Sequence, residues 1–223
     1  VVVVTVNHRL NALGYLYLAR LDPRFADSGN CGQLDLILAL RWVRDNIAAF
    51  GGDPARVMVF GQSGGGAKIA TLMGMPAARG LFHAAATMSG QQVTASGPMN
   101  AHRRTLAYLD RLGVRSGDLQ PLLDMPVATL VAALDAPDPI LGGGLYFGPV
   151  LDMQWLLRHP FWPDANPQSN AIPMVLGNTR DETRAFIDPQ GEKLRGLNWD
   201  NLAARMAPEL RMDLLPEWIV AQY

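Results

Sequence analysis

The sequence predicts an α/β fold with a mostly parallel central sheet and flanking helices. Three observations support this prediction. Short apolar runs of strand length recur along the chain, segments with helical periodicity lie between them, and breaks rich in glycine or proline separate the two. Strands that alternate with helices form successive βαβ units. Their right-handed crossovers make the strands parallel and put helices on both faces of the sheet.

The first predicted βαβ unit ends near residue 60. Residues 1–6 are a run of mostly β-branched residues, which is typical of a strand buried on both faces, and residues 11–33 are mostly loop. A helix is predicted over residues 34–49, ending before Gly51. Its apolar residues recur every three or four positions: Leu36, Leu40, Val43 and Ile47. The second strand is predicted at residues 57–60.

The same alternation continues beyond residue 60. A helix is predicted from about residue 65 to residue 75, where Pro76 ends it, and a strand follows at residues 84–88, ending at Ser89. A further short apolar strand is predicted much later, at residues 173–177. We therefore expect the sheet to contain strands that are far apart in the chain.

Between these strands the composition changes. Residues 98–136 are rich in leucine and alanine and have two polar interruptions, so we expect a helical insertion at 98–140 within a single domain that spans residues 1–223. The glycine triplet at 142–144 suggests a flexible linker more than a binding loop, and the proline-rich residues 160–173 suggest a loop. The last stretch, 198–223, is predicted to be helical.

Composition and charge exclude several classes of partner. The 223 residues are 49% hydrophobic, which is enough for a substantial core, and their formal net charge is −1. So balanced a chain offers no electrostatic surface for nucleic acid or an anionic membrane, and we expect a small-molecule partner. Residues 1–4 are neither a signal peptide nor a membrane span, because they are too few and lack a basic flank, so the chain is expected to begin within the fold.

The single cysteine, Cys31, excludes an internal disulfide, and we interpret it as a packed residue rather than a reactive thiol.

A glycine-rich turn around one serine follows the strand at 57–60. The motif G-x-S-x-G, with Ser63 between Gly61 and Gly65, pushes its serine into an exposed, strained turn when a strand precedes it and a helix follows. This context favours Ser63 as a nucleophile. Two alternatives stay open: a tight turn with an incidental serine, and a phosphate-binding loop in which Lys68 supplies charge, although neither phosphate-binding glycine motif is present.

A nucleophilic serine needs a histidine as base and a carboxylate that orients the histidine. Asp181 and Glu182 follow the strand at 173–177, at the edge of the sheet where the loop of Ser63 also lies. By position alone, each is equally compatible with a catalytic acid and with a solvated loop charge.

Seven blocks of sequence occur in a characteristic order and spacing. They are Val4-Thr-Val-Asn-His-Arg-Leu10, Gly29-Asn-Cys-Gly-Gln-Leu-Asp35, Leu40-Arg-Trp-Val-Arg-Asp-Asn-Ile-Ala-Ala-Phe-Gly-Gly-Asp-Pro54, Phe60-Gly-Gln-Ser-Gly-Gly-Gly66, Gly80-Leu-Phe-His83, Met88-Ser-Gly90 and Leu176-Gly-Asn-Thr-Arg-Asp-Glu182. In these blocks the sequence resembles the type B carboxylesterases and lipases of the α/β-hydrolase fold, a family that includes the cholinesterases.

The resemblance implies a carboxylic ester hydrolase that works through a serine nucleophile and an acyl-enzyme, with no cofactor and no metal. It implies that Ser63 is the nucleophile, Glu182 the triad acid and Gly64 the donor of one oxyanion-hole N–H. Ser89 matches a family serine that lies near the acid. The implied partner is a small-molecule carboxylic ester.

The remaining matched positions either have an implied structural role or carry a residue other than the one usual in the family. Arg9 and Asp35 match a buried ion pair of the family, so we expect them to tie the first strand to the following helix. Gln62 replaces the usual glutamate before the nucleophile, which argues against a preference for cationic substrates. Gly64 replaces the usual alanine and keeps the same N–H.

Two components of the family are absent from the sequence: the glycine-rich oxyanion loop and the catalytic histidine after the acid. All four histidines precede Glu182, and we interpret each as structural or surface-exposed: His8, His83, His102 and His159. The chain alone is therefore expected to be inactive. The alternatives to a catalytic role are a non-catalytic, cholinesterase-like interaction domain and an inactive truncated product.

Overall fold

The computed structural model describes residues 1–182, 191–210 and 214–223. These residues form two compact units. The first contains Val1–His102 and Phe147–Gly177, and the second contains Arg103–Tyr146 and Asn178–Tyr223. The candidate nucleophile belongs to the first unit, and the candidate acid belongs to the second.

The first unit is built on a three-stranded parallel sheet. Its strands are β1 (Met58–Gln62), β2 (Ala84–Met88) and β3 (Met174–Gly177), in the order β1-β2-β3. Met58 pairs with Ala84, and Ala85 pairs with Met174. The predicted strands at 57–60, 84–88 and 173–177 are thus confirmed, including the pairing of a distant strand with β2.

Three helices belong entirely to the first unit: α1 (Asn11–Tyr15), α2 (Cys31–Asn46) and α3 (Gly64–Gly74). The predicted helices at 34–49 and 65–75 correspond to α2 and α3, although α2 begins three residues earlier and gives way to a 3₁₀ turn at Ile47–Phe50. Gly51 then ends this segment with a φ of 77°, which glycine adopts without steric cost. The short α1 lies within residues that were predicted to be loop.

Apolar faces of α2, α3 and the sheet form the core of the first unit. The buried side chains at its centre include Ile37, Leu40, Ile69, Leu72, Met75, Phe82, Ala85 and Leu156. Along β1 the residues alternate, because successive side chains of a strand point to opposite faces. Val59 packs on the core, whereas Phe60 is 62% exposed on the other face.

The strand predicted at residues 1–6 is wrong for this structure. Within the described residues the sheet has three strands, residues 1–6 belong to none of them, and the valines of this run are exposed. A β-branched run favours extended backbone, but it becomes a buried strand only where neighbouring strands supply hydrogen bonds on its edges. Local propensity therefore does not decide the position of this segment.

The second unit begins within α4 (Pro98–Arg111) and continues through α5 (Gln120–Leu123) and α6 (Val127–Ala132). Tyr108 of α4 is fully buried, and its hydroxyl donates a hydrogen bond of 2.7 Å to the carbonyl of Leu130. The helical composition predicted for 98–136 is thus confirmed. Whether residues 98–140 are an insertion within a single domain stays a prediction.

The glycine triplet at 142–144 is a hydrogen-bonded turn rather than the flexible linker that the sequence suggests. The N–H of Gly142 donates to the carbonyl of Asp138 (3.0 Å), and the N–H of Asp138 donates to the carbonyl of Gly143 (2.9 Å). Gly142 and Gly143 both have positive φ values, 77° and 67°, which explains the need for glycine. The buried carboxylate of Asp138 organises this turn, and the composition of the segment does not reveal that contact.

The same carboxylate forms a buried ion pair. Arg104 Nε donates to Asp138 Oδ2 at 2.6 Å, and the two side chains are only 1% and 2% exposed. Asp138 also accepts hydrogen bonds from the backbone N–H groups of Ile140, Leu141 and Tyr146. A buried charge needs such partners, because an uncompensated charge in the interior costs several kcal/mol.

The C-terminal part of the second unit contains α7 (Leu202–Met206) and α8 (Pro216–Val220). The helical prediction for 198–223 is confirmed in these two segments, and residues 211–213 lie outside the described residues. Across the described residues, no helix combines the length and the hydrophobicity that crossing a membrane requires.

Candidate active site

Ser63 occupies the junction between β1 and α3 in an unusual backbone conformation. Its φ and ψ are 53° and −124°, and the residue is exposed. Its N–H donates to the carbonyl of Met88 (2.8 Å), and its carbonyl accepts from the N–H of Ala67 (3.1 Å). A non-glycine residue with positive φ costs about 1–3 kcal/mol and persists only where its surroundings enforce it. Here the neighbouring strand and the first turn of the helix do so.

Glycines around Ser63 allow the helix to pack closely on the sheet. A Cβ on Gly61 would lie 2.7 Å from the backbone carbon of Gly65, so strand and helix approach closely at Gly61, whereas a Cβ on Gly65 would meet no described atom within 4 Å beyond its chain neighbours and helix backbone. A Cβ on Gly66 would lie 2.7 Å from the carbonyl oxygen of Gly90. Gly66 and Gly90 were not assigned this role from the sequence, because they are far apart in the chain.

Gly64 is the first residue of α3 and is exposed. The first N–H groups of a helix have no partner within the helix, so they can bind an anion. Gln62, the last residue of β1, is also exposed and carries no charge. The turn therefore presents a serine hydroxyl, the start of a helix and a neutral amide at one place.

Ser89 follows β2 as Ser63 follows β1. Its φ is 52°, and its N–H donates to the carbonyl of Gly177 at the end of β3 (2.7 Å). The hydrogen bonds of the sheet thus continue beyond its regular strands. They bring Ser63 and Ser89 to the same edge of the sheet, the edge at which parallel α/β folds bind ligands.

The two acidic candidates, both in the second unit, differ in their contacts. Glu182 is half-buried, and its Oε2 accepts hydrogen bonds from the N–H (2.8 Å) and the hydroxyl (2.9 Å) of Thr179. Asp181 is exposed and forms an ion pair of 3.0 Å with Arg180, which is also exposed. Of the two, Glu182 has the carboxylate that its own loop holds in a defined position.

Arg9 and Asp35 form the expected ion pair, but they do so near the surface. Arg9 donates from Nη2 to Oδ1 (2.7 Å), and from Nε and its backbone N–H to Oδ2 (2.9 Å each). The two side chains are 52% and 23% exposed, so the expectation of a buried pair is not met. The pair joins the segment before α1 to α2, and its solvent exposure limits its contribution to about 1 kcal/mol.

Two of the four histidines hold backbone structure. The Nδ1 of His83 accepts a hydrogen bond from the N–H of Val57 (3.2 Å), and the Nδ1 of His159 accepts one from Ala95 (3.1 Å). Burial lowers the pKa of His102, and Arg20 adds to this effect. Burial also lowers the pKa of His8, with a further contribution from Lys68. These environments agree with structural or surface roles.

Cys31 has the environment of an unreactive thiol. Its Sγ donates to the carbonyl of Asp27 (3.3 Å), and burial raises the pKa of the thiol. Among the described residues, no group of three or more histidine, cysteine, aspartate or glutamate side chains could hold a metal ion.

The carboxylesterase family matches residues 1–207. Among individual relatives, the para-nitrobenzyl esterase of Bacillus subtilis (strain 168) is 40% identical over 197 residues, which are 86% of this chain and 39% of that protein. A solved structure of a PNB esterase matches with a TM-score of 0.79 and 36% identity, over 97% of this chain and 46% of the esterase.

The carboxylesterase EST55 of Geobacillus stearothermophilus, also a solved structure, matches with a TM-score of 0.77 and 36% identity. It is covered to 43%, and this chain to 91%. The chain thus spans less than half the length of each of these relatives. The structural matches show the α/β-hydrolase fold of these esterases. The family match covers most of the chain, so the protein belongs to the carboxylesterase family.

Proposed function

We propose that the protein to which this chain belongs hydrolyses carboxylic esters, with Ser63 as nucleophile, Glu182 as triad acid and the N–H of Gly64 in the oxyanion hole. The observation that carries this proposal is the backbone of Ser63: an exposed serine with a φ of 53° between a parallel strand and a helix. Glycine would adopt this conformation at lower cost than serine. A plain turn would therefore gain nothing from a serine at this position, so its presence supports a role for the hydroxyl group.

The chemistry proceeds in two steps. Ser63 Oγ attacks the ester carbonyl while its proton passes to a histidine base, and the resulting oxyanion accepts a hydrogen bond from the N–H of Gly64, worth about 3 kcal/mol in comparable sites. The C–O bond to the alcohol breaks, the alcohol leaves with the proton, and an ester on Ser63 remains. Water then releases the acid by the same route, and the serine is restored.

Glu182 has the task of orienting the histidine. Its carboxylate is already held by Thr179, which supports a fixed acceptor more than a mobile surface charge. The histidine itself is proposed to come from a segment outside this sequence, because every histidine of the chain precedes Glu182 and the relatives are more than twice as long as the matched stretch.

The other matched residues are proposed to support this site. Ser89 lies at the same sheet edge as Ser63 and is proposed to hydrogen-bond near the acid. Gln62 leaves the site without a negative charge beside the nucleophile, which favours neutral esters over cationic ones. Arg9 and Asp35 are proposed to hold the segment before α1 on α2.

The test uses the protein encoded by the complete reading frame. We expect it to hydrolyse p-nitrophenyl butyrate and to be labelled covalently by a fluorophosphonate probe, and we expect Ser63→Ala to abolish both. The control Ser116→Ala, at an exposed turn of the second unit, should leave both intact. Labelling that persists in Ser63→Ala would show that another residue is the nucleophile. A folded protein with neither activity nor labelling would instead support a non-catalytic interaction domain.

A further inference from the structure

Lys68 lies in α3, one helical turn after Gly64, and its side chain folds back toward the start of the helix. Its Nζ donates to the carbonyl of Gly64 at 3.4 Å and lies 5.6 Å from the centre of the Tyr15 ring. The Nζ is also 3.6 Å from the position that a Cβ on Gly64 would take. The ammonium group therefore lies beside the residue proposed to donate the oxyanion-hole N–H.

The first turn of α3 needs such support, because it consists of glycines. Each glycine disfavours a helix by about 1 kcal/mol relative to alanine, since it has more backbone freedom to lose. Gly66 is confined by Gly90, but Gly64 lies in open space apart from one group. In the described part of the chain, and apart from chain neighbours and helix backbone, Lys68 Nζ is the only heavy atom within 4 Å of that Cβ position.

Two features of the surroundings oppose the positive charge of this ammonium. The start of a helix carries a partial positive charge, which repels a cation. Burial also lowers the pKa of Lys68, which shows that the fold disfavours its charged form. The helix is nevertheless anchored at this residue, since Nε2 of the buried Gln33 donates to the carbonyl of Lys68 (3.3 Å). A partly buried cation in the turn that follows the candidate nucleophile Ser63 is therefore a candidate for a functional role.

We propose that Lys68 is a positioning residue for ester hydrolysis, which holds the carbonyl of Gly64 and adds positive charge beside the oxyanion. This inference rests on the proposed function. By fixing the Gly64 carbonyl, the ammonium limits the motion of the first turn, so that the N–H of Gly64 is preorganised for the transition state. Such an interaction acts on the transition state more than on bound substrate, so it affects kcat more than KM.

The charge of Lys68 should make the rate of hydrolysis depend on pH. The groups that face the ammonium are the ring of Tyr15 from α1 and His8 from the segment before it, and Asp35 of α2 acts on His8. Only charged Lys68 can fill the role, and its pKa is lowered below the ordinary lysine value of 10.5. Lys68 therefore loses its charge at a lower pH than an exposed lysine does. As a result, kcat should fall as the pH rises toward the lowered pKa of Lys68.

The test compares Lys68→Met and Lys68→Arg in the protein encoded by the complete reading frame. We expect Lys68→Met to lower kcat and the rate of fluorophosphonate labelling about tenfold, with KM changed less than twofold. Lys68→Arg should recover most of this rate and lose the basic limb of the pH profile, because arginine stays protonated. Lys193→Met, at the other lysine of the chain, is the matched control and should change neither quantity.

A stability measurement separates this role from a structural one. Because the fold disfavours the charge of Lys68, Lys68→Met should unfold at the same temperature as the wild type or higher, although it reacts more slowly. A wild-type kcat and pH profile in Lys68→Met would overturn the inference, and so would a slower reaction explained by a lower melting temperature. A folded wild-type protein that fails to react with the probe would contradict the proposed function itself, and the inference with it.

Discussion

The carbonyl of Ser63 lies directly against Gly90, so closely that a Cβ added at Gly90 would overlap the carbonyl oxygen. The carbonyl of Met88, two residues before Gly90, accepts a hydrogen bond from the N–H of Ser63. The turn that carries the candidate nucleophile is therefore shaped by the end of β2 as much as by its own glycines.

Replacement of Gly90 by alanine should distort the turn at Ser63. The added methyl group has no space unless the backbone of Ser63 moves, and overpacking of this kind costs about 1–3 kcal/mol. We expect a lower free energy of unfolding in urea and a loss of fluorophosphonate labelling of more than tenfold. Gly97→Ala is the control, because a Cβ there meets nothing within 4 Å. Equal behaviour of the two variants would show that the contact at Gly90 relaxes freely.

Replacement of Ser63 by glycine should stabilise the protein while it abolishes hydrolysis. Glycine adopts a φ of 53° without steric cost, whereas serine and alanine do not. We expect Ser63→Gly to be more stable than Ser63→Ala by about 1 kcal/mol in chemical denaturation, after allowance for the greater freedom of glycine when unfolded. Equal stability of the two inactive variants would mean that the backbone of Ser63 is not strained.

The buried ion pair of the second unit should matter far more than an exposed one. Arg104→Met leaves Asp138 charged and buried, which costs about 3–5 kcal/mol. Arg111→Met breaks a pair with Asp135 whose side chains are 54% and 62% exposed, and it should cost less than about 1 kcal/mol. Urea denaturation of both variants measures the difference. Similar losses in the two would contradict the burial of the Arg104–Asp138 pair.

The same pair predicts how stability changes in acid. Burial by itself raises the pKa of Asp138, but the hydrogen bonds from Arg104 and from the N–H groups of Ile140 and Leu141 outweigh it, so the pKa is lowered. A lowered pKa in the folded state contributes stability above the unfolded value near 3.8, and this stability is lost as pH falls through the folded pKa. We expect the wild type to lose stability in this range more steeply than Asp138→Asn. Asp135→Asn, at the exposed pair, should keep a slope close to that of the wild type.

Much of the fold could be predicted from local patterns. The periodicity of apolar residues located β1, β2, β3, α2 and α3 to within a few residues, because alternation and helical spacing report which side of an element is buried. Residues 1–6 show the limit of this reasoning. Their composition favours a strand, yet a strand forms only where neighbouring strands supply its hydrogen bonds, and propensity does not report those neighbours.

The assignments at the candidate site stay predictions. A glycine-rich turn after a strand points to Ser63 by local geometry, whereas the roles of Gly64 and Glu182 are implied by the family resemblance of the blocks. The contributions of Gly90 and Lys68 were not predicted, because each acts through a contact that the sequence does not display. Gly90 was matched only as part of the block Met88-Ser-Gly90, and Lys68 was considered only as the charge of a phosphate-binding loop. A glycine two residues after β2 and a lysine on the glycine-rich helix were the available signals.

What the sequence by itself determined is the kind of turn at Ser63, since only residues without side chains tolerate so close an approach of strand and helix. What only the tertiary structure decided is how that turn is enforced and where charge is buried. Gly90 meets Ser63, Lys68 reaches Gly64, Arg104 rather than Arg9 forms the buried pair, and Gly142 and Gly143 turn around Asp138. The physical reason is that burial and close contact depend on residues distant in the chain.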